Sequence, residues 1–497
     1  MKRKSYILTY DFGTSSLKGV LFDKAYRIRG VAYAGYPTYS PRNGRAEQKA
    51  EDYWDAMRRV TGRLLDVSEI DARGVAGIAM SQTTADVIFT DEEGAALDNC
   101  VIWIDARASA EAEDINRRVG RPVYQGKNVP PKVMWYRHNR PEIFGAARWL
   151  LDVSAYMFRK MTGHFAYELT GAFGSQMLSE DFSEWSDWKL EASEIPREML
   201  PERIVSASEI VGYLLPEAAR QLGLAPGVPV FGGCSDNANG QIGAGCIRSG
   251  DTHVYLGSSA WFEVTTSKDE EFAGPYPSVM PGMRYHFRCT DSACSSVDYL
   301  LSAIRPDGDG HEKYERMERD IARDSVHPEN LLFFPFLFGE QDPVADMFVR
   351  GSMLNIKPTV GRGHILKAVM EGVGYNLRWM KDQQIEQTRR WTSKRIRIFG
   401  GGSQSDAFTQ TIADVTGDEL ARIKNPQTAG NLGLAVCAAI GLGLAEDFTV
   451  LDAIVEEDRI FTPDPEAANR YEFLYPIYRE GYNALKKIYA ALNHENR

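Results

Sequence analysis

Two local patterns recur, in the same order, along this chain of 497 residues, and that recurrence narrows the possible folds more than any other feature. The first is a pair of apolar runs joined by a short Gly/Ser/Thr segment. Residues 5–10 and 18–23 read as strands around Asp11-Phe-Gly-Thr-Ser-Ser-Leu17, and residues 252–256 and 261–266 read as strands around Gly257-Ser-Ser-Ala260. Each is a hairpin whose turn uses residues suited to tight backbone. The second pattern is an apolar strand that runs into glycines, then Ser-Asp, then a helix: Phe231-Gly-Gly-Cys-Ser-Asp236 and Phe399-Gly-Gly-Gly-Ser-Gln-Ser-Asp406. One match arises easily by chance. Both, in one order, point to two related α/β domains, and the length exceeds what a single core holds.

The stretch from Val228 to Gly245 bears most on chemistry. Gly232 and Gly233 break a buried strand, and Ser235 or Asp236 caps the helix that follows. That helix is rich in Gly, Ala and Asn, so another backbone or a ligand can approach closely. Asp236 is either part of an ordinary cap or a general base at a strand end facing a cleft. The first hairpin turn offers N–H groups and hydroxyls to an anion beside a carboxylate. A plain turn explains Gly13 equally well.

Elsewhere, Trp54, Met57, Val60, Leu64 and Leu65 give residues 46–67 a helical apolar face. Short apolar runs at 74–79 and 87–90 flank the polar stretch Ser81-Gln-Thr-Thr-Ala-Asp86. Residues 100–104 lead into Asp105-Ala-Arg107, and on an extended segment Trp103, Asp105 and Arg107 share one face. An exposed salt bridge explains Asp105 and Arg107 as well. Asn128-Val-Pro-Pro-Lys-Val-Met-Trp135 opens a helix with proline in its first turn. Helices are expected at 363–379, 407–415, from 429 and at 472–492, with a strand at 395–399.

The formal charge of −11 argues against nucleic acid as the main partner, but not against a phosphate ligand held by backbone N–H groups. The six cysteines form no Cys-x-x-Cys pair, which argues against zinc and for reduced thiols. Asp11 interrupts the first apolar run, so no signal peptide is read, and no apolar run spans a bilayer. The expectation is a soluble, cytoplasmic protein.

This layout resembles the actin-like, ribonuclease-H-like ATPase superfamily, and within it the FGGY carbohydrate kinases. Asp11-Phe-Gly-Thr-Ser-Ser16 is similar to the family's first phosphate loop and Leu256-Gly-Ser-Ser259 to its second. Trp103-Ile-Asp-Ala-Arg107 resembles a Trp-x-Asp-x-Arg motif, and Pro131-Lys-Val-Met-Trp135 a Pro-Lys-x-x-Trp motif. Gly232-Gly-Cys-Ser-Asp-Asn237 is similar to the Gly-Gly-x-x-Asp segment. Phe334-Pro-Phe-Leu-Phe-Gly-Glu340 and Arg350-Gly351 resemble Pro-Tyr-Leu-x-Gly-Glu and Ala-Arg-Gly, and Gly400-Gly-Gly-Ser-Gln-Ser405 the adenosine-side loop.

The resemblance implies an α/β fold of two ribonuclease-H-like domains flanking a cleft, 1–246 on the sugar side and 247–497 on the nucleotide side. It implies ATP and Mg²⁺ as cofactors, with Asp11 approaching the metal. Gly13, Thr14, Ser15, Gly257 and Ser258 would contact phosphates, and Gly400, Gly401, Gly402 and Gln404 the nucleotide. Asp236 would be the base. Gln82, Thr83, Thr84, Trp103, Asp105, Asp236 and Asn237 would line the sugar pocket.

Two stretches depart from the family. Ser81-Gln-Thr-Thr-Ala-Asp86 lacks the Gln-Met-His run of xylulose kinases and the Arg-Glu pair of glycerol kinases. Tyr167-Glu-Leu-Thr-Gly-Ala-Phe-Gly-Ser175 matches a Ser-x-Ala segment only loosely. The expected substrate is a small ketose or polyol, a ketopentose such as xylulose first, with ribulose, fuculose, erythritol and glycerol as alternatives. The alternative from another class is a non-catalytic, nucleotide-switched actin-like module. Neither nucleic acid nor membrane is an expected partner, and a homodimer is one assembly open to the chain.

Overall fold

The first hairpin forms as its alternation requires. β1 (Tyr6–Phe12) and β2 (Ser16–Asp23) pair antiparallel, and β3 (Ile28–Gly35) pairs antiparallel with β2. Helix α1 (Ala50–Ser68) then crosses over, burying Tyr53, Trp54, Met57, Val60 and Leu64. Its apolar face closes on the hairpin so tightly that a Cβ on Gly19 would sit 2.3 Å from Val60 Cγ1. At such a contact, Leu64→Ala costs about 2–5 kcal/mol. The helix starts later than its pattern suggests, because Glu47–Gln48 pair with Cys100–Val101 instead.

In this computed structural model, residues 5–40, 44–304, 311–324, 329–388 and 395–493 are described. The chain divides into two units. The first comprises Met1–Gly245, Pro277–Pro281 and Gly430–Ile454; the second comprises Cys246–Tyr276, Gly282–Ala429 and Val455–Arg497.

After α1, β4 (Val75–Gln82) runs parallel to β1. Helices α2 (Val129–Asn139), α3 (Val153–Thr162) and α4 (Leu169–Gly174) follow. Then come β5 (Ile210–Tyr213), β6 (Pro229–Phe231), β7 (Cys234–Ser235) and α5 (Asp236–Gly243). The sheet order is β5-β6-β4-β1-β2-β3, with β7 pairing β4. The central pairs β1–β4 and β4–β6 are parallel, and the flanking pairs antiparallel.

The second unit repeats this plan. Its hairpin is β8 (Thr252–Leu256) and β9 (Ala260–Ser267), followed by β10 (Met283–Thr290) and the long helix α6 (Arg362–Thr388). Then come β11 (Arg395–Phe399), α7 (Asp406–Thr416) and β12 (Glu419–Ile423). Helix α8 (Ala429–Gly441), in the first unit from Gly430 onward, precedes β13 (Glu457–Phe461) and α9 (Pro465–Asn493). The order β10-β9-β8-β11-β12-β13 carries the same succession of antiparallel, parallel and antiparallel pairs. The short Tyr276–Pro277 strand lies beyond β10. Each unit is thus an α/β domain with the same succession of pairings, although the edge strand beside the parallel pairs comes before its neighbour in the first unit (β5 before β6) and after it in the second (β13 after β12).

The apolar faces of each sheet are covered by helices. In the second unit Val254, Phe262, Val369, Val373, Ile398 and Ile412 form one core. A second cluster joins Tyr375 of α6 to Tyr471, Tyr475 and Tyr478 of α9. Among the described residues, no helix is long and apolar enough to cross a membrane.

Candidate active site

In the first unit, three neighbouring strands end together. Asp11 of β1 stands opposite Ser81 of β4, and Ser81 opposite Cys234 of β7. Ligands of such sheets bind outside the carboxyl ends of parallel strands. Asp236 lies two residues past Cys234, at the start of α5, whose N-cap is Ser235. The reading of Ser235 as the cap holds: its Oγ accepts from Ala238 N at 3.5 Å.

The two glycines before it are there for backbone, not for a ligand. Gly233 has φ +65°, and a Cβ on it would sit 1.8 Å from Met80 O. A Cβ on Gly232 would meet Ser206 O at 2.4 Å. Glycines of α8 serve the same end against α5: a Cβ on Gly433 would meet Ile242 Cγ1 at 2.5 Å and one on Gly430 would meet Asn239 Nδ2 at 2.5 Å.

One oxygen of Asp236 accepts from Asn237 N at 2.9 Å. No other described residue donates to the second oxygen, and Asp236 is partly exposed, as is its neighbour Asn237. Burial, and then the negative charge of Asp11, push Asp236 up to about 7. A carboxyl poised there can take a proton near neutral pH. Asp11 accepts from Ser81 Oγ at 2.8 Å and faces Lys18 Nζ at 3.5 Å. Ser81 Oγ in turn accepts from Asn239 Nδ2 of α5 at 3.0 Å. Asp11 and the Asp236 helix are therefore tied through one serine hydroxyl.

The remaining expected residues divide clearly. Thr14 and Trp103 meet: Trp103 Nε1 donates to Thr14 Oγ1 at 3.0 Å. Gln48 Nε2 donates to Thr14 O at 2.7 Å, and Tyr36 bonds Gly13 O and Ser15 O through its hydroxyl and its N–H. Ser15 is exposed, Gly13 and Thr14 partly so. Thr83 Oγ1 donates to Asp86 Oδ2 at 2.7 Å, and Thr84 packs where a Cβ on Gly174 would sit.

Gln82 and Asp105 turn inward. Gln82 is buried, its Nε2 donating to Asp152 Oδ2 at 2.5 Å and its Oε1 accepting from Ser154 N. Asp105 is fully buried, accepting from Ala46 N at 2.6 Å and from Arg107 through both oxygens. The chain turns after Val101 rather than staying extended, so Asp105 does not share a face with Trp103. The ion pair of Arg107 with Asp105 and Glu47 is buried, not exposed.

In the second unit the two loops expected on the nucleotide side lie beside each other, at the ends of the parallel strands β8 and β11, where Tyr255 pairs with Phe399. Gly257, Gly400 and Gly402 are packing glycines. A Cβ on them would meet Tyr255 Oη, Leu256 O and Cys294 Sγ at 2.3, 2.5 and 2.4 Å. Ser258, Gly401 and Gln404 are exposed. A Cβ on Gly401 would meet nothing within 4 Å, so of these glycines it is the one that leaves open space for a ligand.

The motif reading passed over several residues of this site. Ser81 and Asn239 bridge Asp11 to α5. Lys132, in the Pro-Lys-x-x-Trp stretch, is buried and donates to Ala85 O and Ile102 O at 2.9 and 2.8 Å. Asp86 is buried beside it and accepts from Trp103 N at 3.0 Å. Burial pushes Asp86 up and Lys132 down, while each charge opposes the other's shift. This pair pins both ends of the Ser81–Trp103 region. A buried lysine spaced to meet a buried aspartate is a signal that the sequence carries only once the strands are placed.

Family-model comparison matches residues 6–243 to the N-terminal domain and residues 253–442 to the C-terminal domain of the FGGY family of carbohydrate kinases. A xylulose kinase of Lactococcus lactis is 29% identical over 97% of this chain and 98% of its own length. A gluconokinase of Bacillus subtilis is 25% identical over 95% of each. Among solved structures, a ligand-bound xylulose kinase from Lactobacillus acidophilus superimposes with a TM-score of 0.86 at 24% identity, covering 98% of this chain and 99% of that one.

Proposed function

The chain belongs to the FGGY family of carbohydrate kinases and is an ATP-dependent sugar kinase, and from that premise we propose that Asp236 is its catalytic base and a small ketose, xylulose first, its acceptor. The observation that carries the role of Asp236 is its open oxygen. Asp86, Asp105, Asp152 and Glu168 are all buried, and Asp105 spends both oxygens on the protein. Asp236 keeps one oxygen free at the end of the parallel strands.

Phosphoryl transfer needs positioning and charge stabilisation more than covalent help. Asp236 takes the proton from the acceptor hydroxyl as that oxygen bonds to the γ-phosphorus, and ADP departs with the electron pair of the broken P–O bond. In the first unit the hydroxyl and backbone N–H groups of Thr14 and Ser15, and in the second those of Ser258, bind phosphate oxygens, while the Gly13 and Gly257 amides close their own turns on Ser16 O and Ser259 O at 3.1 and 2.9 Å. Gly401 leaves the nucleotide free approach to backbone. Trp103, Thr83, Thr84 and Asn237 line the sugar, whereas Gln82 and Asp105 brace the pocket wall from behind.

The donor set suits Mg²⁺. Asp11 offers a hard oxygen donor, and among the described residues no cluster of three His, Cys, Asp or Glu makes a full protein cage. That matches an ion held by one or two carboxylates, water and phosphate. Asp11 would hold it, and when bound it offsets phosphate charge.

Xylulose is favoured because the relative named for it shares 29% identity, against 25% for the gluconokinase, over nearly the whole chain. The Thr83 and Thr84 hydroxyls can bond a hydroxyl-rich chain, and a site built on such bonds rejects near analogues. The test is coupled ATP consumption over D-xylulose, D-ribulose, gluconate, erythritol and glycerol. D-Xylulose turned over well above the others is the expected result. Silence with D-xylulose and turnover of another acceptor overturns the substrate while leaving the kinase.

A further inference from the structure

We infer that Thr170 is a positioning residue for Asp236, acting through the backbone of Ser235. The inference rests on the reading of Asp236 as base. Thr170 sits in the stretch that matches the family pattern only loosely, at the start of α4.

The geometry is a chain of three buried groups. Thr170 Oγ1 accepts from Ser235 N at 2.7 Å and donates to Glu168 Oε2 at 2.6 Å. The same Glu168 oxygen accepts from Thr170 N and Gly171 N at 2.9 and 3.0 Å, capping α4. Thr170, Glu168 and Ser235 are each 2% exposed. A hydroxyl has one proton. Because Glu168 takes it, a lone pair of Thr170 is held towards the Ser235 amide. Ser235 is the last residue of β7 and the N-cap of α5, so fixing its peptide fixes the residue that follows.

Helix α4 is itself clamped against the sugar loop. A Cβ on Gly171 would meet Asp152 Oδ2 at 2.8 Å and Gln82 Nε2 at 2.9 Å, and a Cβ on Gly174 would meet Thr84 Cγ2 at 2.6 Å. One short helix therefore touches Gln82 and Thr84 along its length and, at its start, holds the amide of Ser235, the residue before Asp236. A misplacement of a reacting group by about 1 Å can cost about a hundredfold in rate.

The experiment compares Thr170→Val, Thr170→Ser and Asp236→Asn in steady-state kinetics with saturating acceptor, beside thermal melts of each. Valine keeps the shape and removes the acceptor; serine keeps the hydroxyl. The expected result is kcat lowered at least about tenfold in Thr170→Val, with KM for ATP unchanged and Thr170→Ser close to the parent. Parental kcat in Thr170→Val, with Asp236→Asn inactive, overturns the positioning role and leaves the base. Parental activity in Asp236→Asn overturns the base itself. If Thr170→Val does not fold, Thr170→Ala and Thr170→Ser are compared at a temperature where both melts show a folded protein. Higher kcat in serine supports the role, and equal kcat overturns it.

Discussion

At the scale of single residues, Asp236 has an open oxygen at the end of the parallel strands, whereas Glu263 of β9 is wholly buried. Asp236 follows a strand, two glycines, a cysteine and a serine, an order that leaves an ordinary helix cap and a strand-end base both open. Asp236→Asn should lower kcat by about two to four orders of magnitude while calorimetry shows nucleotide affinity unchanged. Its ordinary value is 3.8, and its surroundings push it up to about 7. The base works only when ionised, so kcat/KM should fall about tenfold per pH unit below that point; a flat profile down to pH 5 would refute the assignment.

Glu263 gave no such sign, being the one charged position among the apolar and hydroxyl residues of β9. It lies opposite His253 across β8 and β9, both buried, with neither carboxylate oxygen nor ring nitrogen bonded among the described residues. Burial raises Glu263 well above its ordinary 4.5 and lowers His253 to about 3. The folded Glu263 holds a proton that the unfolded chain gives up above 4.5, so its contribution to stability is present below that pH and lost as pH rises. The His253 contribution runs the other way, present above 6.5 and lost as pH falls towards 3. Glu263→Gln should therefore melt higher than the parent at pH 8 and alike at pH 4.5, as scanning calorimetry can show. Asp105 is the opposite case: its alternation with Trp103 suggested a shared face, and only the turn after Val101 explains why it is buried.

Elements were legible where one periodicity ruled. β8 and β11 have the bounds their apolar runs suggest, Thr252–Leu256 and Arg395–Phe399. The last helix begins at Pro465, earlier than the Glu472 read from the sequence, since Asp464 Oδ1 accepts from Glu466 N and Ala467 N and opens it there. α1 begins late because a two-residue strand competes for its first turn. Turns were legible as turns, but which glycine serves packing and which serves a ligand depends on neighbours distant in sequence. Two substitutions separate the kinds. Gly401→Val meets open space, so it should leave the melting temperature unchanged and weaken ATP binding at least about tenfold by calorimetry; unchanged affinity would free this turn from the nucleotide. Gly233→Ala faces Met80 O and a left-handed φ, and should cost about 2–4 kcal/mol or block folding. A parental melt would show that β7 shifts freely.

For the whole molecule, the doubled strand-and-turn pattern gave the class of each sheet, and the repeated succession of pairings follows from it. The return of Gly430–Ile454 to the first unit is not written in that segment, which reads only as a helix of small residues. Its glycines mark the packing in hindsight: a Cβ on Gly441 would strike Phe231 at 2.4 Å, and one on Gly433 would strike Ile242 at 2.5 Å. A fragment of residues 1–246 lacks this helix. It should melt without a cooperative transition and bind a hydrophobic dye, and appending residues 430–454 should restore the transition; a sharp melt in the bare fragment would contradict this. During synthesis the same return imposes a delay. The ribosome adds about 5–20 residues per second, so the N-terminal sheet waits roughly 10–40 s for the segment that closes it. Over that interval the nascent chain presents Phe231 and Ile242 uncovered, and a slow codon or an occupied chaperone between them and residue 454 would govern the yield of the enzyme without altering its final structure.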